Sequence, residues 1–526
     1  MKTLLIALLL ALPVATAPAR AAPPAQFDAR VETLRRQIGI PGVAVAIVED
    51  GQTVLARGYG VRKLGAADKV DGDTIFMTGS TGKAFTSAAL ATLVDAGKIA
   101  WDDKVADRLP GFAMYDPWVT REMTIRDLLV HRSGLGLGEG DLLFVPRTNI
   151  PRAEAVRRLR YLRPATSFRS GFAYDNVLYM VAGQLIEAVT GQRWEDYVRE
   201  HVLLPAGMTH STTENSRRFA DPDRAWPHAR TSQAVRGIGP LAPLDERDTL
   251  GDSAAPAGGL AISANDIAKW LTLQLAHGRL PGGGRLFSEA AHDAMWQPEV
   301  LQPIAPMPDS LKLAEPMFDT YAFGWEVRDY RGAQIVWHSG AVLGMQSIVV
   351  LLPAKNVGFA IEINSEDGEF LRGMMFELLD HYLGLAGPDW PARYIATKHE
   401  RLAAAAAALS AKAAAPAKVG PSLPLERYAG PYTDPWYGNV AVRATGGGLT
   451  IDFQSTPRMA GPLEHWQYDS FITRFTDHTI EPAYVTFAVD ADGHVTGMTM
   501  KPVSPTADFS FDYQDLAFVR ALPGRP

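Results

Sequence analysis

Residues 73–90 read DTIFMTGSTGKAFTSAAL, and the spacing of Ser80 and Lys83 within them decides how the rest of the chain is read. The run from Ser80 to Ala96 has helical spacing and stops at Gly97. If Ser80 opens that helix, Lys83 lies one turn on, on the same face, within reach of the hydroxyl. A serine hydroxyl is a poor nucleophile until a base takes its proton. Burial beside other polar groups lowers a lysine's pKa far enough for it to be that base. The helix N-terminus adds positive potential and a free amide. An isolated Ser-x-x-Lys is ordinarily a helix cap followed by a solvated lysine, but this one is the only copy in 526 residues. Gly79–Lys83 also suggests a phosphate-binding loop. That loop needs Gly at 77 and Ser or Thr at 84, where the chain has Met77 and Ala84, so this reading fails.

Two further triplets carry chemistry. Tyr174-Asp175-Asn176 precedes a helical run that starts at Val177, which puts Tyr174 on the loop entering the helix. A phenol there can relay protons, and an asparagine amide can bind a substrate carbonyl. The second Tyr-x-Asn, at Tyr437 and Asn439, sits in a Pro/Gly turn of the β-rich tail and reads as structural. His338-Ser339-Gly340 ends the strand-like run QIVWHSG and is the only His-x-Gly in the chain. A small residue at a strand end lets a substrate backbone lie along the strand edge.

Around these triplets the chain organises itself. A helix is expected over Ala25–Ile38, then two strands joined by a turn at Asp50-Gly51. Residues 125–275 read as helical pieces between Gly/Pro loops. Strands return at 334–340, 345–353 and 357–364, followed by a helix from Phe370 to Leu383. Strands drawn from both ends of a domain around a helical block give an α+β fold with a mostly antiparallel sheet. Residues 401–424 are alanine-rich and then proline-bearing, a linker whether or not they form a surface helix. Residues 425–526 alternate apolar and polar with Gly and Asp-Gly turns, a separate all-β barrel-like domain. The catalytic domain is thus expected over 22–400.

Composition narrows the class. The chain is 47% hydrophobic and 21% charged, ordinary for a globular protein, and 526 residues allow more than one domain. A net charge of -7 without a Lys/Arg cluster argues against a nucleic-acid partner. Residues 1–21 read as a signal peptide: Lys2, an apolar run from Leu4 to Val14, and a small-x-small site at Ala19-Arg20-Ala21. That run is too short to span a bilayer, so no membrane anchor is expected after cleavage. With no cysteine, disulfides, thiolate metal sites and a cysteine nucleophile are excluded. The 12 histidines lack His-Glu-x-x-His spacing, so neither metal nor cofactor is expected. A periplasmic or secreted bacterial enzyme fits.

Taken in order, the three motifs resemble the pattern of the serine β-lactamase-like superfamily, class C branch: Ser-x-x-Lys, Tyr-x-Asn, Lys/His-x-Gly. That branch includes class C β-lactamases, D-alanyl-D-alanine carboxypeptidases, D-aminopeptidases, esterases and hydrolases of linear peptides. PGVAVAIVEDG, TIRDLLVHRSGL, FAYDNVLYMVAGQLIEAVTG, LLPAGMTHST, APAGGLAISANDIAKW and YAFGWEV look like the same family, so the resemblance spans roughly residues 27–385. The tail resembles the small lipocalin-like barrel that some family peptidases carry.

The resemblance implies roles. Ser80 attacks the carbonyl; Lys83 and Tyr174 share proton transfer. Asn176, His338, Ser339 and Gly340 bind the substrate, and the backbone N–H groups of Ser80 and Ala341 form the oxyanion hole. Two departures matter. His338-Ser339-Gly340 stands where class C β-lactamases have Lys-Thr-Gly, and Asp175 replaces the usual Ser, placing an extra carboxylate near the cleft. The expected activity is hydrolysis of amides or linear peptides, with D-residues tolerated, through an acyl-enzyme. An esterase or β-lactamase of the family, or a non-catalytic penicillin sensor, is the alternative. Removing the tail is expected to alter KM or size selectivity more than acylation.

Overall fold

The computed structural model describes residues 23–248, 250–414 and 419–521; the expected leader, residues 1–21, lies outside them. Strands β1 (Gly42–Glu49) and β2 (Gln52–Gly60) form the expected hairpin, with Asp50 and Gly51 both at positive φ in the turn. They join β3 (Val300–Leu301), β4 (Asp319–Tyr321), β5 (Glu326–Tyr330), β6 (Ala333–Val342), β7 (Met345–Leu352) and β8 (Val357–Ile363). The order is β2-β1-β8-β7-β6-β5-β4-β3, and every neighbouring pair is antiparallel.

Every residue of β1 is buried, because the sheet is covered on both faces. Val43, Val45 and Ile47 face helices α1 (Phe27–Ile38) and α5 (Gly368–Leu383). Ala44, Ala46 and Val48 face the helical block, which holds α2 (Lys83–Asp95), α3 (Val177–Thr190) and α4 (Ala264–Leu275). The period of two sorts the side chains between two cores. Helix α2 is buried nearly all round, so its first turn is held in the interior between the sheet and the block.

A long helix α6, Trp390–Ala414, runs through the first part of the alanine-rich stretch. Leu402 and Ala405 are buried against Val235, with Ala406 and Leu409 packed beside them, so the first part of this stretch is helix docked on the catalytic domain. Alanine is the best helix former, which accounts for this. Beyond it, β9 to β16 close an eight-stranded antiparallel barrel, from Gly430–Asp434 (β9) through Val495–Pro502 (β15) to Ala517–Arg520 (β16). Tyr432, Val440, Ile451, Phe453, Phe487 and Phe518 are among the side chains that fill it, as suits eight strands. The connection between β15 and β16 reaches back to the catalytic domain. There the Asp512 carboxylate accepts from the N–H groups of Gly140 (2.6 Å) and Leu142 (3.0 Å). Among the described residues, no helix is long and apolar enough to cross a membrane.

Candidate active site

The sequence places Ser80 in a tight turn, Gly79–Gly82, that feeds directly into α2 at Lys83. The turn is 3-10 rather than the expected α-helix, and Gly79 sits at φ 57. A Cβ on Gly79 would stand 2.4 Å from the Ala341 nitrogen. Only glycine allows this approach of the nucleophile turn to β6. Strand β5 pairs with β6 only as far as Trp337, so beyond that point this edge of β6 is left to the turn. The backbone N–H groups of Ser80 and Ala341 therefore come from adjoining segments, and both residues line a cleft of about 300 Å³.

Lys83 is fully buried, and its Nζ donates to Ser80 Oγ (2.9 Å), Asn176 Oδ1 (2.6 Å) and the Ala257 carbonyl (2.9 Å). Two of those partners can only accept, so two of the ammonium protons are always committed to them. The third direction faces Ser80, and it holds either a proton or a lone pair. Burial pulls the Lys83 pKa down to about 7, against the raising effect of Asp141 and Asp175. Both protonation states are thus populated near neutrality, which is what proton exchange with a serine hydroxyl requires.

The Tyr174 ring packs against His131 with centroids 4.1 Å apart and planes tilted by 35°, and Lys83 Nζ lies 4.8 Å from the Tyr174 ring centroid. Its hydroxyl has no hydrogen-bond partner in this geometry, although Ser80 is close enough to favour ionisation against a strong burial penalty. Asn176 lines the cleft, but both ends of its amide are engaged within the protein. Its Oδ1 accepts from Lys83, and its Nδ2 donates to Asp141 Oδ2 at 2.8 Å. In this arrangement it orders the lysine and commits one of its two Nδ2 hydrogens to Asp141.

His338 departs from the expected substrate contact. It is 2% exposed, and both ring nitrogens are paired. Nδ1 donates to the Ser339 carbonyl (2.6 Å), and Nε2 accepts from the Tyr321 hydroxyl (2.8 Å). A carbonyl can only accept, which fixes that tautomer. Burial and the Lys83 charge push the His338 pKa down to about 3, so it stays neutral. Neither His338, Ser339 nor Gly340 lines the cleft, whereas the next residue, Ala341, does.

Asp175 likewise does not add a carboxylate to the cleft. It is buried, accepts from Ser133 Oγ (2.7 Å) and faces His131, and burial raises its pKa to about 8. In the unfolded chain the value is about 4. The folded protein therefore holds a proton that the unfolded chain releases, and stability falls as pH rises from about 4 to about 8. Asp175→Asn is expected to remove this loss. Denaturation of both proteins across that range checks it, and equal pH dependence would contradict it.

Three participants had no local signal in the sequence: Asp141, Tyr321, and Ser510, whose Oγ donates to Asp141 Oδ2 at 2.7 Å. Two His/Asp groupings among the described residues could hold a metal ion: His277, His292 and Asp293, and Asp490, Asp492 and His494. None of these residues lines the cleft.

Comparison with known proteins accords with this geometry. A family model described as Beta-lactamase matches residues 27–384, and one described as a domain of unknown function matches residues 414–520. An unguisins hydrolase of Aspergillus campestris is 30% identical over 77% of this chain and 74% of its own. Penicillin-binding protein 4 of Amycolatopsis lactamdurans is 31% identical over 69% of this chain and 92% of its own. The octameric penicillin-binding protein homologue from Pyrococcus abyssi superposes with a TM-score of 0.59, covering 94% of this chain and 99% of that one. At 20% identity this shows a shared fold. With the family model spanning more than half the chain, and hydrolase and penicillin-binding relatives aligned along it, the protein belongs to the beta-lactamase family and is one of its serine hydrolases.

Proposed function

We propose that the protein hydrolyses amide bonds of linear peptides, with D-residues tolerated, through an acyl-enzyme on Ser80. The hydrogen bond from Lys83 Nζ to Ser80 Oγ, with the other two lysine bonds fixed on pure acceptors, carries this reading. Neutral Lys83 takes the Ser80 proton as Oγ attacks the carbonyl carbon. The N–H groups of Ser80 and Ala341 hold the resulting oxyanion. The proton held by Lys83 passes through the Tyr174 hydroxyl to the departing amine as the C–N bond breaks, leaving Lys83 neutral and Tyr174 protonated. Water then attacks the ester, its proton returns through the same pair, and Ser80 is released.

Peptides are favoured over penicillins because the third triplet supplies no cation. Class C β-lactamases have a lysine there; this chain has a buried, neutral histidine held by Tyr321. The test is kcat/KM on L- and D-aminoacyl p-nitroanilides, short linear peptides, p-nitrophenyl esters and nitrocefin. Clear peptide or anilide turnover beside poor nitrocefin turnover is expected. Efficient nitrocefin hydrolysis with every peptide inert would replace this reading by a β-lactamase, and turnover of esters alone by an esterase.

The lysine also sets a pH dependence. Because the neutral form is the base, kcat/KM is expected to rise with pH through a midpoint near 7 and then level off. Lys83→Arg, permanently charged, is expected to lose at least about 10²-fold. A flat profile between pH 5 and 9 in the wild type would contradict the assignment of Lys83 as base.

A further inference from the structure

The segment between β15 and β16 belongs to the barrel, yet it touches the catalytic residues. Ser510 Oγ donates to Asp141 Oδ2, the same oxygen that accepts from Asn176 Nδ2. Asn176 Oδ1 accepts from Lys83 Nζ. A hydrogen-bonded chain thus runs from the barrel to the atom that faces the nucleophile. Asp512 clamps the residues on either side of Asp141 by accepting from the Gly140 and Leu142 N–H groups. Phe509 closes over Gly138, where a Cβ would meet its ring at 2.6 Å, and lies 5.9 Å from the Tyr174 ring.

The chemistry of the amide shows why such a chain matters. An asparagine side chain fits its site either way round, and only its partners decide which end faces where. A carboxyl acceptor at Asp141 draws Nδ2 and so turns Oδ1 toward Lys83. Without it, the amide is free to present NH₂ to an ammonium group, where no hydrogen bond forms. Asp141 is buried, and its Oδ1 has no partner, so Oδ2 alone receives both donors.

We propose that Asp141, Ser510 and Asp512 are positioning residues for Lys83, the last two supplied by the C-terminal barrel, so that the base is set only when the barrel is docked. This rests on the reading of Ser80 and Lys83 given above. It changes what the barrel does: it acts on acylation and not only on substrate access.

The test uses full-length Ser510→Ala, Ser510→Thr and Asp141→Leu, with kcat and KM on a p-nitrophenyl ester and a peptide p-nitroanilide. The rate at which a fluorophosphonate labels Ser80 is measured alongside. Ser510→Ala is expected to lower kcat and the labelling rate about tenfold with KM within about twofold, and threonine to restore both. Asp141→Leu is expected to cost about 10²-fold; if it does not fold, the Ser510 pair decides. A change in KM alone, wild-type kinetics in Ser510→Ala, or a threonine variant as poor as alanine would overturn the proposal while leaving Ser80 as nucleophile. Failure of wild-type Ser80 to label would remove the underlying reading instead.

Discussion

Ser80→Ala is expected to lower turnover by at least about 10³-fold while leaving the fold intact. The large effect follows from the absence of a substitute: in the family pattern the nucleophile is the serine of Ser-x-x-Lys, and the chain has one such serine. The small structural effect follows from its surroundings. Ser80 Oγ is bonded to Lys83, which keeps Asn176 Oδ1 and the Ala257 carbonyl when the hydroxyl is lost. Steady-state rates with a thermal melt check both halves. Wild-type hydrolysis by the variant, or unfolding at ambient temperature, would contradict them.

The second large effect is expected at Gly340, which has no side chain to react but packs against the nucleophile turn. A Cβ there would stand 1.9 Å from the Thr78 carbonyl oxygen, 2.7 Å from Ser347 Oγ and 2.9 Å from the Ser80 nitrogen. The first of these is backbone and cannot swing aside, so Gly340→Ala must push the nucleophile turn away from β6. That separates the N–H groups of Ser80 and Ala341, and losing an oxyanion donor typically costs about 10²–10³-fold in kcat. The strain also lowers stability by roughly 1–3 kcal/mol. Gly282→Ala is the control, since its Cβ meets nothing within 4 Å, and it is expected to match the wild type. An active Gly340→Ala would show that the close approach is not needed.

What was legible in the sequence follows from how local the signal is. The β1–β2 hairpin, the late strands β6 to β8 and helix α5 announce themselves by apolar runs and a turn dipeptide, and the structure has them within a few residues. The Ser80–Lys83 contact is legible because three residues on, along a helical turn, is a fixed geometry. Strand β5 is not legible, because EVRDY carries charges at Arg328 and Asp329 that the fold nonetheless buries. His338 was legible as a residue of interest but not in its orientation, which Tyr321 decides from another strand of the sheet. The Asp141–Ser510 bond joins residues 369 apart in sequence, and nothing local encodes it.

The most direct measurement is to trap the intermediate. The wild type and Ser80→Ala are mixed with a slowly released peptide ester or a β-lactam, quenched in acid, and followed by intact mass and peptide mapping. The expected result is a mass gain equal to the acyl group on the peptide that contains Ser80, absent in Ser80→Ala. Substrate turnover with no adduct, an adduct on another residue, or undiminished turnover in Ser80→Ala would contradict a covalent mechanism at Ser80.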